Sequence, residues 1–351
     1  MSATYDLFRS LRKITPCIDG LRRNLLREGT PERAYFFDLG VAENVKDEIA
    51  QYMRCSGDQR IEGALQREVA VYRHLGYDVF RTRLPNAGRF ETSVVKGEGA
   101  NSYPGVIRSW EDFECFDWPR VRDVDFAPLE WFEKNLPSDM GVTHTVCVWE
   151  TARQILGFEN LCLCLYDQPE LVDAVFEKVG EYYTELAKHL VDFACVFSLF
   201  GADDLGYKTS TLLPPDTLRR LVLPWHKQWA TTAHKAGKLY FLHSCGKIDA
   251  LMEDLIVDVN VDAKHSFEDV IEPVTEAKRK YGARLSLLGG LDVDFLARGE
   301  EGEIRTKVRE ILDQCMPGGG YCLGSGNWIT SYIPLYNYLV MLDEGRRWCE
   351  S

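Results

Sequence analysis

The chain has 351 residues, 45% of them hydrophobic and 27% charged, with a formal net charge of −13. That balance suits a chain able to bury a large core, and the lack of a long basic run excludes a nucleic-acid partner, whose phosphates demand a positive face. No apolar stretch approaches the roughly 20 residues that cross a membrane, and the N-terminus has no secretory apolar core, so the expectation is a cytoplasmic protein without a membrane partner.

Leu7, Leu11 and Ile14 recur at helical spacing, as do Leu21, Leu25 and Leu26, which predicts one or two amphipathic helices before Pro31. The apolar run 34–40 then reads as a buried first strand. Helical patterns cover 45–53 and 61–75, the second closed by Gly76, and 78–84 reads as a strand cut off by Pro85. Residues 86–140 are aperiodic. They predict an insertion with a hairpin from Phe90 to Val106 and helical turns beyond, either a lid or pocket wall or plain surface packing.

From Val142 alternation returns. Strands are predicted at 142–148, 195–200, 239–242, 261–263, 285–288 and 321–323. Helices are predicted from Thr151, over 170–192, from Pro214 to about Gly237, and over 250–255, 274–281, 303–315 and 335–343. Strand–helix alternation with short connections implies parallel strands and right-handed crossovers. A doubly wound sheet and a barrel both satisfy it. No Gly-x-Gly-x-x-Gly follows the first strand, and no Gly-x-x-x-x-Gly-Lys-Ser/Thr occurs. Polar residues instead follow many strands, which favours a single α/β domain over 1–351, a (β/α)8 barrel with its site at the C-terminal face. The eleven cysteines are odd in number, and Cys147, Cys162, Cys164 and Cys195 lie in apolar runs, as buried free thiols of a reducing compartment do.

The strand-end candidates are Asp38, Arg81 with Arg83, Glu150, Asp203 with Asp204, His243 with Cys245, His265, Asp292, and Cys322 with Asn327. His243 and Cys245 are two apart, so the period of a strand sends both side chains to one side. Cys322 lies at the tip of a later strand. One imidazole and two thiolates suit zinc, and three protein ligands leave a fourth position open. Asp204 can hold a cation or orient a metal ligand, its neighbour Asp203 capping the next turn. His265 can ligate, donate a proton or merely satisfy its strand end. Asp292 can cap the following helix. Asn327 follows glycines that allow close backbone approach, with Trp328, Tyr332, Tyr336 and Tyr338 beyond.

The segments Gly201-Ala-Asp203-Asp204-Leu-Gly206-Tyr207-Lys208, His243-Ser-Cys245-Gly246, Val261-Asp262-Ala-Lys-His265 and Leu288-Gly289-Gly290-Leu291-Asp292 carry a resemblance. From Pro31 onward the chain resembles the uroporphyrinogen decarboxylase superfamily, in its zinc- and corrinoid-dependent methyltransferase branch. The resemblance implies the barrel, and zinc on His243, Cys245 and Cys322. It also implies Asp204, Tyr207, His265 and Asn327 in the pocket, and transfer of a methyl group between a small methylated substrate and a separate corrinoid protein, by a monomer or homodimer. The chain has no Asp-x-His-x-x-Gly of its own to carry cobalamin. Nor does the segment 36–41 hold the arginines with which the decarboxylase grips its substrate, so decarboxylation of uroporphyrinogen is not expected. The C-terminal segments and the long insertion differ from the coenzyme M-type enzymes. The expectation therefore leans to demethylation of a methoxylated aromatic donor, with a thiol methyltransferase or a metal-free lyase for another carboxylate as alternatives.

Overall fold

Seven short strands organise the molecule in this computed structural model, which describes residues 3–55, 61–90 and 105–348. They are β1 (Val79–Thr82), β2 (Gly141–Val146), β3 (Val196–Ala202), β4 (Leu239–His243), β5 (Ala263–His265), β6 (Ser286–Leu288) and β7 (Tyr321–Cys322). All pairings are parallel, and the spatial order is the chain order. β4 shows why such strands read as unbroken apolar runs: all five of its residues are buried, because both faces of a parallel sheet are covered.

The sheet is strongly curled. Laid flat, strands ~4.8 Å apart would put β1 and β7 about 29 Å from each other. Instead Val79 of β1, Phe200 of β3, Phe241 of β4, Leu288 of β6 and Cys322 of β7 share one inner apolar cluster. A second, larger cluster lies outside, between the sheet and the helices. Phe37 closes the inner one, its ring 5.7 Å from those of Phe200, Phe241 and His265.

The predicted first strand is the main departure. Residues 34–40 form no ladder; Phe36 makes a single parallel bridge to Leu323, and Val41, just past the run, makes another to Ile329. The segment lies beside the end of β7, where Leu323 N donates to Tyr35 O and Phe37 N donates to Leu323 O. The parallel seven-stranded part of the expected barrel is thus present among the described residues.

The N-terminal helices are Ala3–Ser10 and Ile18–Leu25, and the helix Ile61–Leu75 stops at Gly76, whose φ is +81°. The predicted helix after Pro214 is two, Pro215–Leu221 and Leu223–Lys235. Pro224, lacking an N–H, fits only the first turn of the second. The stretch 250–255 forms a 3₁₀ turn (Asp249–Leu251) and a π-type turn (Asp254–Val259) in place of an α-helix. β5 starts two residues later than expected, so His265 ends the strand. Helices Trp110–Cys115 and Ala127–Asn135 lie in the insertion, and the hairpin expected from Phe90 to Val106 falls largely outside the described residues. Helix Phe158–Asp167 was not predicted, whereas Asp292 caps the helix Val293–Arg298 through the amides of Asp294 and Phe295, one of the two roles its position offered. No helix among the described residues is long and apolar enough to cross a membrane.

Candidate metal and active site

Three strand ends build the site. After β3 the chain runs Asp203-Asp204, and the two carboxylates part company. Asp203 turns inward: it accepts from the amides of Val148 and Glu150, 2.9 Å each, at the start of the helix Trp149–Leu156. Its Oδ2 also stands 2.9 Å from His226 Nε2, without a well-aligned hydrogen bond. Asp204 faces the end of β4. There Oδ1 accepts from the Cys245 amide at 2.8 Å and lies 3.2 Å from His243 Nε2.

Cys245 Sγ is 3.4 Å from His243 Nε2. Ser266, just past β5, donates its hydroxyl to that sulfur at 3.3 Å, and Asn327 donates its Nδ2 amide to it at 3.2 Å. Ser266 holds a φ of +84°, a left-handed conformation that a serine adopts at a cost and that here aims its Oγ at Cys245. The loops after β3 and β4 touch backbone to backbone. A Cβ on Gly206 would meet the Gly246 carbonyl carbon at 2.7 Å, and one on Gly246 would overlap Gly206. Only glycine allows that approach.

Asp204, His243 and Cys245 offer ligand atoms that all lie within 4.8 Å of one another. Zinc with nitrogen and oxygen at about 2.0 Å and sulfur at about 2.3 Å would hold them at tetrahedral edges of roughly 3.3–3.6 Å. The 3.2 and 3.4 Å separations are close to two of those edges, and the third pair lies within 4.8 Å. The donor set therefore fits zinc.

Cys322 is not part of this group. Its Sγ lies deep in the curled sheet, fully buried, with Asn24 Nδ2 of the N-terminal helix 3.7 Å away and Asp78 and Arg33 as its nearest charges. The register explains it. His243 pairs with His265, His265 with Leu288, and Leu288 with Cys322. In tilted barrel strands that path slips about one residue per strand, roughly 10 Å over three strands. Cys322 therefore stands toward the N-terminal end. Asn327, five residues further and beyond the turn at Gly324-Ser325-Gly326, reaches the site instead.

Electrostatics divide the group. Burial pushes the Asp204 carboxyl up, but the hydrogen bond and charge of His243 and the Cys245 amide outweigh it and hold it well below the carboxylate range. Burial, then the charge of Asp204, pushes the Cys245 thiol up to about 12 against the Ser266 hydroxyl. His265 is held far below the usual imidazole range by burial, then by His243 and Lys264. Its Nδ1 is 2.8 Å from His243 Nδ1. A neutral His265 accepting there keeps a proton on His243 Nδ1, so a metal would displace only the Nε2 proton that faces Asp204. Lys264, also buried, donates to the carbonyls of Ser244, His265 and Ser266 and so ties the two loops together.

Tyr207 stands apart: its side chain is 59% exposed, although its backbone accepts from the Lys247 amide. Glu150 packs near Asp204; burial raises its carboxyl to about 7 against the ion pair with Arg153, and its Oε1 has no partner. Asp38 is a structural carboxylate, accepting from Ser325 N and Oγ at 2.7 Å and from Tyr77. Ser266 and Lys264 escaped sequence reasoning, since a serine or lysine beside a predicted strand carries no motif.

The model of the family described as uroporphyrinogen decarboxylase (URO-D) matches residues 140–348. Among solved structures, a methyltransferase from Methanosarcina mazei is similar with a TM-score of 0.72 at 16% identity, over 94% of this chain and 98% of that one. A β-L-arabinopyranosidase from Geobacillus stearothermophilus scores 0.41 at 13% identity, over 93% of this chain and 78% of that one. A sugar phosphate isomerase/epimerase from Parabacteroides distasonis scores 0.36 at 12% identity, over 88% of this chain and 94% of that one. These last two likenesses carry no functional argument. No protein of curated function matches the chain.

Proposed function

The chain belongs to the uroporphyrinogen decarboxylase family, and on that premise we propose that it is a zinc-dependent methyltransferase. It takes a methyl group from a small methylated donor, a methoxylated aromatic compound, and delivers it to the cobalt of a separate corrinoid protein. Asp204, His243 and Cys245 hold the zinc, replacing the expected set with Cys322. The observation that carries this reading is the sulfur of Cys245. It sits at tetrahedral-edge distance from His243 Nε2 and receives two further donors, Ser266 and Asn327. A thiol raised to about 12 stays protonated beside Asp204 unless a cation sits against it. Bound zinc would supply Lewis acidity toward the methylated oxygen or a substrate thiol.

The chain's own residues do the rest. His265 orients His243, Asn327 and Ser266 steady the thiolate, and Asp204 supplies negative charge that stays ionised through neutral pH. Glu150 is a buried acid near neutrality, suited to give a proton to a departing alkoxide. The single parallel bridges of Phe36 and Val41 support reading the segment 36–41 as an eighth stave beside β7. In that stave Phe37 and Leu39 are buried apolar residues and Asp38 is engaged by Ser325, which leaves nothing there to grip a polycarboxylate. The Methanosarcina mazei likeness supports the methyltransferase reading at the level of fold. Elemental analysis and turnover test it. About one zinc per chain, with methyl transfer only when a reduced corrinoid protein and a methoxylated donor are both supplied, is expected. Corrinoid-independent loss of carbon dioxide from a carboxylate by metal-free protein would overturn it.

A further inference from the structure

Beside the proposed metal centre lies a second chemistry that the methyl-transfer reading does not use. A cavity of about 260 Å³ opens at the ends of β1 and β2, lined in part by Arg81, Arg83, His144, Thr145 and Tyr183, with no acid among its lining residues. In a chain of net charge −13 an all-cationic hollow is unexpected. Arg81 and Arg83 stack on Trp328, their guanidinium carbons 4.8 and 5.6 Å from its ring centroid. Among the described residues neither arginine has a carboxylate partner. Burial, then the like charge of Arg83, pushes Arg81 down to about 10. Two guanidinium groups held together without an anion are repulsive, and the arrangement makes sense once an anion joins them.

An independent observation points the same way. His144 is 5% exposed, and its Nε2 has no partner. Its Nδ1 is tied to the Thr145 carbonyl at 3.0 Å, which leaves Nε2 a buried acceptor without a partner in a residue that lines the cavity. Burying an acceptor without a partner is costly, so such an atom marks a place for a ligand's O–H. The cavity is near the lower end of the ~300–1,000 Å³ usual for small-molecule sites, which suits one ring.

We propose that Arg81 and Arg83 form a carboxylate subsite and that His144 receives a hydroxyl of the same ligand, so that the substrate is a small hydroxylated aromatic acid or its close relative. The inference deepens the proposed function and rests on it for the identity of the reacting end. Trp328 joins the two places: it carries the arginines, and the preceding Asn327 touches Cys245.

Titration calorimetry on the full-length, zinc-loaded protein tests it with benzoate, the three hydroxybenzoates, benzyl alcohol and inorganic phosphate as probes. Benzoate should bind, and Arg81→Gln or Arg83→Gln should weaken it at least tenfold. At least one hydroxybenzoate should bind more tightly than benzoate, an advantage lost in His144→Phe. Cys245→Ala, emptied of metal, should bind benzoate as wild type does, which separates this subsite from the zinc assignment. Equal binding of benzyl alcohol, insensitivity to both arginine changes, or binding of phosphate in place of benzoate would overturn the proposal.

Discussion

Asn327 donates its side-chain amide to Cys245 Sγ at 3.2 Å from 82 positions further along the sequence, while Cys322, chemically the better ligand, points elsewhere. The geometry thus sets Asp204, not Cys322, beside His243 and Cys245. Elemental analysis should find about one zinc in wild type and in Cys322→Ala, and none in Cys245→Ala or His243→Ala. Asn327→Ala should keep the metal and lose activity, about tenfold, because it removes a donor to the sulfur and not a ligand. Zinc lost from Cys322→Ala with the fold intact would restore the thiolate pair and unseat Asp204.

His265 tests whether orientation of the ligand matters. With His243 Nδ1 2.8 Å away and its own charge suppressed by burial, it acts through His243. Partners of this kind typically govern metal affinity by about 10–100-fold. His265→Ala should therefore raise the zinc dissociation constant by that factor in a chelator competition, with the metal still bound at saturation. Unchanged affinity would make His265 a packing residue only.

The adjacent acids should separate cleanly. Asp203→Ala strips the acceptor from the amides of Val148 and Glu150 at the start of the helix Trp149–Leu156 and removes the carboxylate beside buried His226, so it should cost about 3 kcal/mol of stability, read by denaturant unfolding. Asp204→Ala should cost less than Asp203→Ala in metal-free protein, since it frees only the Cys245 amide and the His243 contact, and should abolish zinc binding. The reverse pattern would mean that the roles are exchanged.

Most of the architecture was legible because buried parallel strands leave apolar runs that short segments cannot hide. The seven strands appear within a few residues of their expected places, and the helix 61–75 lies where its pattern puts it. What failed needed three dimensions. The apolar run at 34–40 has a strand's composition but bridges only at Phe36, a matter of pairing that no local pattern encodes. Cys322 has a ligand's chemistry and a strand end's position. Its depth depends on strand tilt summed over three neighbours, which spacing along the chain does not record. Ser266 and His144 matter because of one strained φ and one missing partner, and both are properties of the folded chain.

Asp38 gives the molecule a pH signature. Burial lifts its carboxyl from the ordinary 3.8 to about 6, against hydrogen bonds from Ser325 and Tyr77. The folded state thus binds this proton more tightly than the unfolded chain. Its contribution to stability is fully present below about pH 4 and is lost as pH rises through about 6. A shift of that size corresponds to at most about 3 kcal/mol. Asp38→Asn keeps the shape and removes the titration, so its unfolding free energy, relative to wild type, should improve between pH 4 and pH 7 by up to that amount. Denaturant titrations at the two pH values read the difference directly. Parallel stability curves for the two proteins would show that Asp38 is ionised throughout, held so by Ser325. In that case the same variant should instead loosen the 324–326 turn and weaken the hold of Asn327 on Cys245.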